Sequence, residues 1–174
     1  MLVVTLAGVL FACENDVKEI EKYDLSEKFP DQTVQEVEIL YSSEGRVSFQ
    51  LNAPVLDQYG GEKPYDEMPK GVHIQIFDTL MNVTTELTSN YAINLTHKNK
   101  MEAKEDVVVV NEKGETLNTE HLVWDKKTQK ITSDVFVKIT TKDQVLMGEG
   151  LIANEDFTNY RILKPRGIIN IDND

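Results

Sequence analysis

The sequence predicts an all-β fold: a twisted antiparallel sandwich or flattened barrel, built from short repeated strand units behind an N-terminal signal and tether. Three observations carry this. Beyond Pro30 no stretch keeps the 3.6-residue apolar spacing of an amphipathic helix over three turns. Short apolar and β-branched runs alternate with polar residues and are broken by turn-forming residues instead. One β unit is also written repeatedly. Aligning Leu117 with Leu146 pairs Leu122 with Leu151, Val123 with Ile152, Asp125 with Asn154 and Ile131 with Tyr160, and a third copy starts at Leu87. Such repeats cannot bury their apolar faces alone and must stack on a neighbour.

Composition narrows the function classes. A chain of 174 residues holds one domain with a short leader. Its 18 basic and 30 acidic residues give a net charge of -12, which opposes binding to a phosphate backbone, so no nucleic-acid partner is expected. Aromatic residues make up 7%, too few for a platform that stacks bases or sugars.

Taken in order, residues 1–12 (MLVVTLAGVLFA) are apolar and uncharged, and fall short of the roughly 20 residues that cross a bilayer as a helix. They read as the apolar part of a secretory signal. The basic leading region of such signals is missing, which leads us to expect a true start upstream of Met1. Cys13, the single cysteine, follows directly in the order Leu10-Phe11-Ala12-Cys13. This resembles a bacterial lipobox, whose cysteine thiol receives a diacylglyceryl group, although Phe11 is bulkier than the residue usual there. A free cysteine at the edge of a signal peptide is the other reading. An acylated Cys13 would hold the chain on a membrane, each buried methylene contributing about 0.8 kcal/mol. Residues 13–35 are charged and read as a tether.

The folded domain is expected over residues 36–170. Val37–Tyr41 and Arg46–Leu51 flank the turn cluster Ser42–Gly45 and read as a hairpin. Val47, Phe49, Leu51 and Ala53 share one face, and Pro54 argues against a central strand continuing beyond it. Asp57–Lys70, with two glycines and two prolines, reads as an irregular loop. Strands resume at GVHIQIFD, with Val72, Ile74 and Ile76 on one face, followed by NVTTEL, NYAINLT, KMEA and EDVVVV. Within the repeat, strands are expected at Glu120–Trp124, Gln129–Ile139, Leu146–Ala153 and Asn159–Leu163, with turns at Asp125–Thr128, Thr141–Asp143 and Asn154–Phe157. Connections this short favour antiparallel neighbours.

The run LMGEGLIANEDFTNYRI followed by LKPRG, with the preceding LNTEHLVWDKKTQKITSDVFVKI, resembles the LptC family and the OstA-like domain it shares with LptA. The resemblance covers Leu87–Gly167 well and reaches less clearly back to Val37. It implies a periplasmic component of lipopolysaccharide export: a slit-like jellyroll whose apolar interior receives acyl chains. Lipopolysaccharide would come from an inner-membrane ABC transporter of the LptB/LptF/LptG type and pass to an LptA-like periplasmic protein. It further implies end-to-end pairing of jellyrolls, with the last unit as docking edge, represented by Gly148, Gly150, Tyr160, Ile162, Gly167 and Ile169. Better-known members are held by an N-terminal transmembrane helix. Here a lipid on Cys13 is expected in its place, anchoring the chain at the periplasmic face of a membrane, the inner one being favoured. No cofactor is implied.

Inward positions read from the alternation are Phe49, Leu51, Val72, Ile74, Ile76, Val107, Val109, Leu122, Trp124, Val135, Val137, Ile139, Leu146 and Leu151. They either line a lipid groove or pack a closed sandwich, and the residues alone fit both. Gly148, Gly150 and Gly167 read as points of close backbone approach or bulges. His73, His97 and His121 have no ligand spacing and read as surface strand residues, and no metal site is expected. Neither a Gly-x-Ser-x-Gly elbow nor a Gly-rich phosphate loop is present, so the chain is not expected to be an enzyme. The alternative to lipid transfer is a structural or adhesive cell-envelope lipoprotein whose surface binds a protein or glycan.

Overall fold

The computed structural model describes residues 29–43 and 45–170. The signal segment, Cys13 and the tether as far as residue 28 lie outside the described residues. Eleven strands run in chain order: β1 (Gln32–Ser43), β2 (Arg46–Tyr59), β3 (Tyr65–Met68), β4 (Val72–Phe77), β5 (Val83–Ser89), β6 (Tyr91–Leu95), β7 (Lys100–Asn111), β8 (Thr116–Asp125), β9 (Lys130–Thr140), β10 (Gln144–Asn154) and β11 (Tyr160–Asn170). The described helix content is a single 3-10 turn, Thr96–Lys98. Sequence and structure agree on the all-β class.

All eleven strands join one antiparallel sheet. β1 is one edge and pairs along the length of β2. The first half of β2 then pairs with β4 and its last residues with β3. β7 closes the far side of this split, pairing through Lys100–Lys104 with β6 and through Val108–Asn111 with β5. From β7 the order runs β8, β9, β10, β11, each paired with the next, and β11 is the other edge. The sheet folds over on itself around two apolar clusters. One gathers β7–β10 around Val107, Val137 and Leu151; the other gathers β2–β4, β6 and β7 around Leu51, Met68 and Ile74. Leu87 and Trp124 pack against both, so the interior is continuous.

Mid-strand bulges make the fold possible, because a bulge bends a strand and re-aims the side chains beyond it. In β1 the ladder to β2 shifts register between Tyr41 and Ser42, whereas Glu36, opposite Pro54, has a positive φ of 51° and leaves the register unchanged. In β7, Glu105 and Asp106 both have positive φ where the ladder to β8 breaks. In β10, Gly150 has a φ of 79° where the ladder to β9 breaks. The inward set accordingly changes parity in mid-strand: Leu117 and Thr119 are buried in β8 before the break and Leu122 after it, while β10 buries Leu151 and Ala153 on one side and Gly148 on the other.

Several boundaries differ from the sequence reading. β2 runs straight through Pro54, because its neighbours β4 and β3 stop at Asn52 and start at Asp57 and so ask no N–H of it. Asp57–Lys70 is not one loop: Asp57–Tyr59 and Tyr65–Met68 are paired strand, and the irregular part shrinks to residues 60–64 and the short turn after Met68. KMEA and EDVVVV are one strand, their polar break being the Glu105–Asp106 bulge. Gln32–Gln35, grouped with the tether by sequence, pair with β2. His97 sits in the 3-10 turn and not on a strand.

Candidate functional site

The interior opens beside Trp124. A recess of about 220 Å³ is lined there by Tyr41, Phe49 and Ile76 from one side of the folded sheet and by Trp124, Lys126, Gln129 and Glu155 from the other. An aromatic ladder builds the rim: Tyr41 stacks on Phe49 at 4.8 Å between ring centroids, and Phe49 meets Trp124 edge-on at 5.3 Å. The Lys126 ammonium lies 5.7 Å from the Trp124 ring and donates to the Asn94 side-chain oxygen at 2.8 Å. Its burial lowers its pKa, and the negative charge of Asp66 partly offsets that.

Behind the recess two small apolar cavities follow. The first, about 40 Å³, is lined by Ile74, Ile76, Thr85, Leu87, Met101, Ala103, Leu122, Trp124, Ile131, Glu155 and Phe157. The second, about 20 Å³, lies among Val109, Leu117, Ile139, Phe157 and Tyr160. Thr85 and Glu155 also line the first, and Asn111, Glu115 and Thr116 the second. The mouth presents apolar side chains to which an aliphatic chain could bind, while the two inner cavities are too small to hold one as they stand. Among the described residues no cluster could hold a metal ion. His121, between Glu102 and Asp134 at 3.5 and 3.3 Å, lies beside the break in the ladder between β7 and β8 and lines none of these cavities.

The nominated inward residues divide into three groups. Phe49 stands at the mouth, Ile76 and Trp124 line both mouth and first cavity, Ile74 and Leu122 line the first cavity, and Val109 and Ile139 the second. Leu51, Val72, Val107, Val137 and Leu151 are buried in the clusters and line neither the mouth nor the two inner cavities, and Leu146 packs half-buried on the first cluster. Val135 is half-buried and belongs to neither cluster, since Asp134 and Val135 are paired with neither β8 nor β10. Sequence reasoning passed over Leu87, Met101, Ala103 and Ile131, whose inward phase the alternation could have given. Glu155 and Phe157 carried no such signal, because they belong to a turn.

At the nominated docking edge, β10 is paired on both sides, so Gly148 and Gly150 do not lie on a free edge. The free edge belongs to β11, where Tyr160 and Ile162 are half-buried and Gly167 is exposed. Ile169 is in the same strand, opposite Val145. Sequence reasoning missed the second free edge, β1.

A folded antiparallel sheet with two free end strands and an apolar interior is the setting in which the family comparison takes its meaning. The family model for LptC-related lipopolysaccharide-assembly proteins matches residues 1–166. The chain belongs to the LptC family. A role in lipopolysaccharide transport follows from membership, as does a place among the periplasmic components of the cell envelope. No curated protein matches the chain. Among the described residues no helix is long and apolar enough to cross a membrane.

Proposed function

We propose that this LptC-family chain is a membrane-anchored, non-enzymatic lipid-transfer component of lipopolysaccharide export. Its anchor is a lipid on Cys13, following the signal segment 1–12 and joined by a tether to the jellyroll, which starts with β1 at Gln32. Its place is the periplasmic face of the inner membrane. Acyl chains arrive from the ABC transporter, enter beside Trp124, and pass to an LptA-like protein that pairs with the free edge of β11.

The observation that carries this reading is the apolar mouth formed by Phe49, Ile76 and Trp124, which leads inward between the two sides of the folded sheet. Apolar area removed from water there stabilises the complex at roughly 25 cal/mol per Å², and directionality comes from the transporter's ATP hydrolysis. The free edge of β11 supports docking, because an unpaired strand offers a row of backbone donors and acceptors to an added strand. The smallness of the two inner cavities favours the second reading, a structural or adhesive envelope lipoprotein with a filled core.

Photo-crosslinking residues at positions 76 and 124 separate the two in cells. Lipid transfer requires lipopolysaccharide adducts at both positions and none at the exposed Lys138. Adducts at Lys138 alone, or at no position, would refute it.

A further inference from the structure

We propose that the loop between β10 and β11 is a displaceable plug, with Phe157 as the stopper that must leave before an acyl chain can run along the interior. This rests on reading the interior as an acyl-chain path. Of three consecutive residues of the loop, the outer two each stand between two spaces and the middle one ties the loop down. Glu155 lines both the mouth and the first cavity, standing between them. Its two carboxylate oxygens accept from Trp124 Nε1 at 3.3 Å and from Gln129 Nε2 at 3.0 Å. The Asp156 carbonyl accepts from the Thr85 hydroxyl at 3.1 Å, tying the loop to β5, far away in sequence. Phe157 is 5% exposed and lines both inner cavities, so its ring is the wall between them.

Size shows that the seated state is a closed one. A cavity of 40 Å³ is little more than the roughly 30 Å³ that one water occupies in the liquid, and a cavity that takes up benzene measures about 150 Å³. No acyl chain fits while Phe157 is in place.

The loop is built to move as a unit. Its own shape is held by internal bonds: Asn154 Nδ2 donates to Thr158 Oγ1, the Asn159 amide to Asn154 Oδ1, and the Thr158 amide to Asp156 Oδ1. None of these breaks if the loop lifts away. Phe157 is also held at a φ of 53°, a left-handed conformation that bulky residues seldom adopt. The Phe157 amide donates to the Asn154 carbonyl at 3.1 Å within the same turn, so this backbone angle travels with the loop when it lifts.

The test uses the full chain, a dansyl-labelled medium-chain fatty acid as probe, and stopped-flow fluorescence. Phe157→Ala removes the stopper. Thr85→Val keeps the ring and the volume but cuts the tie to Asp156. Removing the need to populate an unplugged state should raise the association rate and tighten apparent binding on the order of ten-fold in Phe157→Ala. Thr85→Val should raise the rate in the same direction. Probe binding to the unmodified chain with no acceleration in either variant would overturn the plug while leaving the acyl path standing. If Phe157→Ala does not fold, an unchanged rate in Thr85→Val overturns it alone. Probe binding to none of the three proteins would sink the acyl path and the plug together.

Discussion

The Trp124 indole N–H donates to a Glu155 carboxylate oxygen at 3.3 Å, joining β8 to the β10–β11 loop at the mouth of the interior. The same ring meets Phe49 of β2, so one residue bridges the two sides of the folded sheet. Trp124 is the single tryptophan of the chain. Its fluorescence therefore reports on the mouth without added label. Titration with lipopolysaccharide should change its intensity and shift its emission to shorter wavelength as water leaves the ring. Saturable binding with an unaltered Trp124 spectrum would place the lipid elsewhere.

Gly148 is fixed by close packing of β10 on β11. A Cβ there would meet Ile162 Cγ2 and the Lys164 carbonyl oxygen at 2.5 Å and Pro165 Cα at 2.9 Å, two of them backbone atoms that cannot give way cheaply. Gly148→Ala should destabilise the fold by about 1–3 kcal/mol, as overpacking does, and loosen β11. Gly167→Ala, with nothing within 4 Å of its Cβ, should be close to neutral. Equal denaturation midpoints for the two variants would contradict this.

Leu151 has no exposed surface and sits in the cluster on the β7–β10 side, whereas Leu163 on the edge strand is 46% exposed. Leu151→Ala should cost about 2–5 kcal/mol, from lost burial and the cavity left behind. Leu163→Ala should stay within about 0.5 kcal/mol. Urea titrations of both variants read the difference directly.

Acid should weaken the outer face of β7. Burial pushes the Glu102 carboxyl up, but the Lys104 ammonium at 2.8 Å and His121 at 3.5 Å outweigh it and hold the group below its ordinary value of 4.5. A carboxyl depressed in the folded state contributes stability that is complete above its unfolded pKa and is lost as pH falls through the folded one. The loss should therefore appear below about pH 4.5, and Lys104→Met should reduce it. Identical acid-unfolding profiles for the variant and the parent chain would remove Glu102 from the explanation.

Strand content and the bounds of β9 and β10 were legible from strong alternation and clear turns, such as that at Asp125, whose carboxylate accepts the Lys127 and Thr128 amides, whereas β8 starts four residues before the expected Glu120 and β11 runs on past the expected Leu163 to Asn170. The bulges were not legible. Glu105–Asp106 looks like a polar break between two strands, because period-two reasoning has no place for an extra residue, and Pro54 looks like a strand end, because a local pattern does not show that the neighbouring strands leave its position unpaired. The same blindness put Val135 among the inward set, and the turn at Asn154–Phe157, rightly expected, gave no sign that the Phe157 ring is buried. Phe157 reaches the interior by a left-handed backbone angle and a long-range tie to Thr85, neither of which a local pattern encodes.

The proposed lipid transfer is tested most directly by reconstituting the chain with an LptB/LptF/LptG-type ABC transporter and lipopolysaccharide in vesicles, with a photo-crosslinking residue at position 124. Lipopolysaccharide adducts should accumulate at this position when ATP is hydrolysed and be near background without it. Adducts that form equally with and without ATP, or that never form while the transporter remains active, would contradict passage of lipid through the mouth at Trp124.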